Sequence, residues 1–447
     1  MLRTQGEKMK KRLVVYSADA MVGEDLEYLK TCPNFQKYFK NFSQVKKVKS
    51  IYPSVTYPAH TTMSTGCYPN RHGIGANLIF STDEEADVWQ WDASAIQVED
   101  IFTVVKKAGY TTGAVYWPVT GNHKAIDYLI NEYWLPNKGD TLESAFASQG
   151  SSQEVIEILK QYESYLPGTY YKTGRTNVAV HPRFDEFGIK CACEIIRKFA
   201  PEVFFVHTAN IDAARHEHGV FAPEVTGEIR RVDDFIGDLM EALKDADVEE
   251  ETNFILVSDH GQLDMTRGVK PNVMLVREGL IQLDENGKVK DWKAYCNSTG
   301  MSSQIYLKDP KDQQTYQKVY DMFKQMEQEG IYGISKIYRT EELEQSEHLT
   351  GSFSFVLETD NFTFFSDSCK EPVSSPKKFT DYRNGAATHG YLPEKGPQPV
   401  FVAVGPAIRE NVRIPNCSLV DEAPTYARLL NIDLPQADGR ILWEVLK

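Results

Sequence analysis

The sequence predicts an α/β protein built on a mainly parallel central sheet flanked by helices. Short apolar runs at residues 13–16, 203–206 and 253–257 have the length of buried strands. Helix-like stretches at 98–108, closed by Gly109, at 189–199 and at 225–243 alternate with them. The runs at 13 and 253 stop at Asp19 and Asp259, where parallel sheets place ligand-binding side chains.

A chain of 447 residues, 41% hydrophobic and 25% charged, can bury a large core in one or two domains. With 49 basic against 63 acidic residues the net charge is −14, and no basic run offsets it, so no nucleic-acid polymer is expected as a partner. Seven scattered cysteines, odd in number, argue for reduced thiols, and the expected location is cytoplasmic. Cys191 and Cys193 suit the interior of a helix better than a ligand pair. The basic start is followed only by the short apolar run 13–16 before Asp19, unlike a secretory signal. No stretch approaches the roughly 18 apolar residues of a membrane span, and no membrane partner is expected.

The stretch 51–77 is the expected reactive centre. Pro58 suits the first helical position, residues 59–64 continue the turn, and Gly66 stops it. Thr56 and Tyr57 then sit at a helix N-terminus, where free N–H groups and the dipole attract a phosphate-like anion. An ordinary Thr cap has the same local pattern, so the rest of the chain must decide.

A strand at 111–117 ends at Pro118, and the Trp117-Pro118 turn could wall a pocket. Tyr162, Tyr165, Tyr170 and Tyr171 cluster around Pro167-Gly168 as a lid or as packing beneath a long loop. Asp212 and His216 are four apart and share a face if a helical turn starts there, with His218 as an alternative ligand. Asp259-His260-Gly261 closes a strand, and the glycine lets both side chains reach one ion. His389-Gly390 repeats the His-Gly setting before a strand at 400–404. Between them, a strand at 303–307, a helix at 313–329 and a strand at 352–357 form an insertion that returns His389 to the main sheet. A helix at 423–430 packs on the core. Asp19, Thr56, Asp212 and Asp259 with His216, His260 and His389 make a donor set that suits two zinc-like ions.

On these residues the sequence resembles, over most of its length, the nucleotide pyrophosphatase/phosphodiesterase family of the alkaline phosphatase superfamily. The resemblance implies an alkaline-phosphatase-like catalytic core at 1–261 and 386–447, with a small α+β subdomain inserted at 262–385. It implies two divalent ions, zinc first among them. One is held by Asp19, Thr56, Asp259 and His260, the other by Asp212, His216 and His389. Thr56 becomes the catalytic nucleophile of a two-step displacement through a phosphothreonine, and Asn77 contacts the phosphate. Tyr57, Trp117 and His207 become substrate-binding positions, although the family usually has an aromatic residue where this chain has His207.

The implied enzyme is a type I phosphodiesterase/nucleotide pyrophosphatase-like hydrolase acting on a small, nucleotide-like phosphorylated substrate. Phosphonoacetate-type C–P cleavage and phosphomonoester hydrolysis are the alternatives on the same two-metal frame. A metal-stabilised binding protein is the non-enzymatic one, and the intact Thr56 argues against it. No motif supplies the third metal site or dedicated arginine of monoesterase relatives, which favours diesters, though Lys172 or Arg175 could bring a cation.

Overall fold

The computed structural model describes residues 11–83, 88–133, 139–166, 181–376 and 386–447. Its main sheet has eight strands, in the order Arg413–Ile414, Ser43–Val45, Phe401–Val404, Thr252–Val257, Arg12–Ala18, Val203–Thr208, Thr112–Val115 and Tyr128–Ile130. The five from Thr252–Val257 to Tyr128–Ile130 are mutually parallel, whereas Phe401–Val404 runs antiparallel to both neighbours. The expected mainly parallel α/β sheet is therefore present, with an antiparallel strand towards one edge.

Each central strand is apolar on both faces because helices cover both. Val14, Tyr16, Phe204, Val206, Phe254 and Leu256 face one layer with the helices Arg183–Phe199 and Pro223–Asp245. Leu13, Val15, Val203, Phe205, Ile255 and Val257 face the other, with Ala59 and Met63 of the Thr56 helix and Ala423 and Tyr426 of Glu422–Leu429. The alternation is the period of two of a pleated strand. Truncating one such side chain, Phe205 for example, should cost about 3–5 kcal/mol. Cys191 and Cys193 are buried in the first of these layers.

Several boundaries differ from the sequence expectation. The strand expected at 111–117 is Thr112–Val115, because the backbone turns with positive φ at Tyr116 and Val119. The helix expected at 98–108 is Ile101–Lys107, started by the Asp100 carboxylate, which accepts from Thr103 N–H at 2.9 Å. Within the insertion, Ala294–Ser298, Ser302–Leu307, Phe353–Thr359 and Ile334–Arg339 form an antiparallel sheet in that order. The helix Gln313–Glu329 packs on it through Val319, Phe323 and Met326 in a separate core. His389 does not return to the main sheet as expected. It follows Ala387–Thr388, which pairs with Leu263–Asp264 in a two-stranded ribbon just after the Asp259-His260 turn. Tyr162 and Tyr165 are neighbours with ring centroids 6.2 Å apart. Tyr170, Tyr171, Lys172 and Arg175 lie outside the described residues. Among the described residues no helix is long and apolar enough to cross a membrane.

Candidate active site

Three carboxylates leave the C-terminal ends of three adjacent parallel strands. Asp19 follows Arg12–Ala18, Asp212 follows Val203–Thr208 within the helix Asn210–His218, and Asp259 follows Thr252–Val257. The register sets Ser17 beside both His207 and Val257, so the three strand ends are level. This is the edge at which parallel sheets bind ligands, because each strand end opens into a loop rather than a ladder.

Thr56 is the first residue of the helix Thr56–Thr65, which ends at Gly66 in the left-handed region, φ 69°. Pro58 is thus the third helical residue, not the first, and is tolerated because the opening N–H groups need no intrahelical partner. The N-terminus does not present the expected row of free donors. Tyr57 N–H donates to Asn77 Oδ1 at 2.9 Å, Pro58 has no N–H, and Ala59 N–H bonds Val55 O. With its carbonyl end so engaged, Asn77 has its amide nitrogen to offer an anion.

The chain brings the seven expected donor residues together. His260 Nε2 lies 3.3 Å from Thr56 Oγ1, 3.2 Å from Asp259 Oδ2 and 3.5 Å from Asp19 Oδ1. His216 Nε2 is 3.2 Å from Asp212 Oδ2, and His389 Nε2 is 3.7 Å from Asp212 Oδ1. Asp212, His216 and His389 form one group of donor atoms close enough for a single ion; Asp19, Asp212 and His260 form another. Asp212 belongs to both, and the His260 and His389 rings touch at 4.1 Å between centroids. His218 stays out: its side chain is half-buried and sits 3.7 Å from Glu217.

Divalent ions fit this donor set. His216 Nδ1–H donates to Ala387 O at 2.9 Å, which turns Nε2 to the Asp212 carboxylate, where an ion can be shared. Asp19 Oδ1 and Asp259 Oδ2 are buried and carry no hydrogen bond. Burial first, and the Asp212 charge second, push Asp19 up to about 7. Burial raises Asp259 as well, and it lowers His260 and brings His389 down to about 4. Neutral imidazoles facing crowded, desolvated carboxylates describe a site short of positive charge.

The expected substrate contacts from Tyr57, Trp117 and His207 are corrected. Tyr57 is 1% exposed, its ring packed on Trp89 and Trp91 at 5.2 and 6.1 Å. Trp117 is fully buried between His60 and Phe205, each 4.8 Å away, so it is core rather than pocket wall. His207, 1% exposed, lies beneath Asp19: Nε2 is 3.0 Å from Asp19 Oδ2, while Nδ1 faces Tyr116 O and Glu132 Oε1 at 3.1 and 3.2 Å. Supporting residues also appear that sequence reasoning missed. His60 bridges Thr56 O and Ser17 Oγ, both at 2.9 Å, and Gln262 Nε2 donates to Asp212 Oδ1. His60 stands four residues after Thr56 on one helix face, a spacing that could have marked it.

A family model described as type I phosphodiesterase / nucleotide pyrophosphatase matches residues 13–392. Human ectonucleotide pyrophosphatase/phosphodiesterase family member 1 is 24% identical over 246 residues, which is 53% of this chain and 22% of that protein. The chain thus spans less than a quarter of that relative's length. The bis(5′-adenosyl)-triphosphatase of Xenopus laevis is 22% identical over 418 residues, 90% of this chain and 74% of that protein. Among solved structures, murine ectonucleotide pyrophosphatase/phosphodiesterase 5 superimposes with a TM-score of 0.63 at 22% identity, covering 98% of this chain and 100% of that one. An inactive threonine-to-alanine variant of the murine protein in complex with AMP gives the same TM-score of 0.63 at 20% identity, covering 98% of this chain and 100% of that one. These likenesses show a shared fold.

Proposed function

The chain belongs to the type I phosphodiesterase / nucleotide pyrophosphatase family, and from that premise we propose that it is a metal-dependent hydrolase of phosphodiester or pyrophosphate bonds in small nucleotide-like substrates. One observation carries the reading. The Thr56 hydroxyl at a helix N-terminus lies 3.3 Å from His260 Nε2, with carboxylate oxygens of Asp259 and Asp19 at 3.2 and 3.5 Å from the same nitrogen. A cap has no need of such neighbours; a nucleophile does.

Divalent ions, zinc first for this imidazole–carboxylate set, would be held by Asp19, Thr56, Asp259 and His260 and by Asp212, His216 and His389, supplying Lewis acidity and a lowered hydroxyl pKa at Thr56. Thr56 Oγ1 attacks phosphorus, and the P–O bond to threonine forms as the bond to the leaving oxygen breaks. Asn77, oriented by Tyr57 N–H, donates its amide to a non-bridging oxygen as charge builds there. Water then cleaves the phosphothreonine and restores the hydroxyl.

A diester is favoured over a monoester because the arginine nearest in sequence is already engaged. Arg215, between Asp212 and His216, is buried and bound to both Asp25 oxygens at 2.8 Å. The AMP complex of the murine neighbour supports a nucleotide-like substrate. Residues 262–385 are read as an insertion into this catalytic core, and the buried free thiols of Cys32, Cys191, Cys193 and Cys296 support a reducing, cytoplasm-like location. The test is hydrolysis of a nucleoside 5′-p-nitrophenyl phosphate with and without chelator. Metal-dependent release of p-nitrophenol supports the proposal, and a chain that binds ions but hydrolyses no diester, monoester or phosphonate is a binding protein instead.

A further inference from the structure

Thr56 and His389 are 333 residues apart in the chain, and their loops meet. Gly390 N–H donates to Ser54 O at 3.0 Å, and Ser54 Oγ–H donates to Tyr391 O at 2.7 Å. The insertion presses on this seam. Met301 N–H donates to His389 O at 2.8 Å, and Ser302 Oγ–H donates to Gly390 O at 2.5 Å. The approach is so close that a Cβ on Gly390, whose φ is +97°, would lie 1.9 Å from Thr299 O.

Beside the seam, on the strand Phe353–Thr359, Glu358 is completely buried. It accepts from Tyr52 O–H at 2.8 Å, four residues before Thr56, and from Leu392 N–H at 3.2 Å, three residues after His389. Lys395 Nζ stands 3.0 Å from the same oxygen that takes Leu392. A buried carboxylate is tolerated only when donors surround it, and these donors come from the two loops that carry the nucleophile and a candidate ion ligand. None of its partners is itself an ion ligand, and the functional reading leaves it without a role.

We propose that Glu358 is a positioning residue: through Tyr52 and Leu392 it fixes the spacing between Thr56 and His389, so that the inserted segment sets the geometry of a catalytic centre to which it contributes no ligand. The proposal rests on the reading of Thr56 as nucleophile and His389 as ion ligand. An amide in place of the carboxylate keeps the side-chain volume but sets an NH2 where one of the two charged acceptor oxygens stood, so the anchor to one of the two loops loses its acceptor and both lose its charge.

The test uses the full chain and four proteins: wild type, Glu358→Gln, Tyr52→Phe and the double variant. Zinc binding is measured by equilibrium titration, and kcat and KM with bis(p-nitrophenyl) phosphate. Glu358→Gln is expected to weaken binding of the second zinc ion about tenfold and to lower kcat about tenfold with KM nearly unchanged, the lower end of the loss caused by removing a direct partner of a metal ligand, since Glu358 acts one residue further out. Tyr52→Phe should lower kcat while leaving zinc affinity near wild type, and the double variant should fall short of the product of the two losses, since both remove one contact. The proposal is overturned if Glu358→Gln loses only thermal stability, with zinc affinity, kcat and KM of the wild type, or if the two substitutions multiply independently. Wild-type chain that neither binds zinc nor hydrolyses the diester overturns the functional reading, and the inference falls with it.

Discussion

His207 Nε2 lies 3.0 Å from Asp19 Oδ2, beneath the site and out of reach of substrate. Because Glu132 and Tyr116 O engage the other ring nitrogen, the imidazole is fixed on both sides and turns Asp19 Oδ1 towards His260. His207→Phe should therefore weaken divalent-ion binding about tenfold, as loss of an outer partner of a metal ligand does. KM ratios between nucleotide and non-nucleotide diesters should stay the same. A changed ratio with unaltered ion affinity would restore His207 to the substrate pocket.

Replacing Asp212 by Asn, or His216 by Ala, should remove one ion and most of the activity. Among the described residues Asp212 is the carboxylate grouped with both His216 and His389, at 3.2 and 3.7 Å, and it also belongs to the Asp19–His260 group. Metal analysis of the purified variants checks this, and two tightly held ions in either variant would reduce the pair to a structural contact.

Glu358 gives a pH signature. Burial pushes its carboxyl from 4.5 up to about 7 against the pull of Lys395 and the Tyr52 and Leu392 donors, with Tyr338 nearby. Between those values the folded chain holds a proton that the unfolded chain has released. Stability due to this group accordingly falls as pH rises through the window, by about 3 kcal/mol in all, and is level outside it. Denaturant unfolding from pH 4.5 to 7.5 should show this slope in wild type minus Glu358→Gln, and parallel curves would contradict it.

A diester carries a single negative charge, which two ions and Asn77 can balance, whereas a monoester dianion asks for a further cation. The kcat/KM for bis(p-nitrophenyl) phosphate should exceed that for p-nitrophenyl phosphate at equal metal loading. A tenfold preference for the monoester, worth about 1.4 kcal/mol in transition-state binding, would reverse the assignment and make Lys172 and Arg175 the first residues to replace.

The chemistry at strand ends was legible because local signals placed it. An apolar run followed by Asp19 or by Asp259-His260, and the four-residue step from Asp212 to His216, need no knowledge of the rest of the chain. What was not legible depends on long-range contacts. Nothing local to Tyr57 says that Trp89 and Trp91 cover its ring, or that Asn77 takes its N–H. The family resemblance makes His207 a substrate position, but the pairing of the Arg12–Ala18 and Val203–Thr208 strands sets its ring beneath Asp19. Trp117 ends an apparent strand, yet the positive φ at Tyr116 and Val119 turns it into the core.

Thr56 stands or falls as the nucleophile on its hydroxyl. The most direct measurement is hydrolysis of bis(p-nitrophenyl) phosphate by Thr56→Ala beside its metal content. Turnover should fall to background with both ions still largely bound, because Thr56 is the member of the donor set with a chemical role. Undiminished hydrolysis by the variant would contradict it and assign the attack to water activated at the same centre.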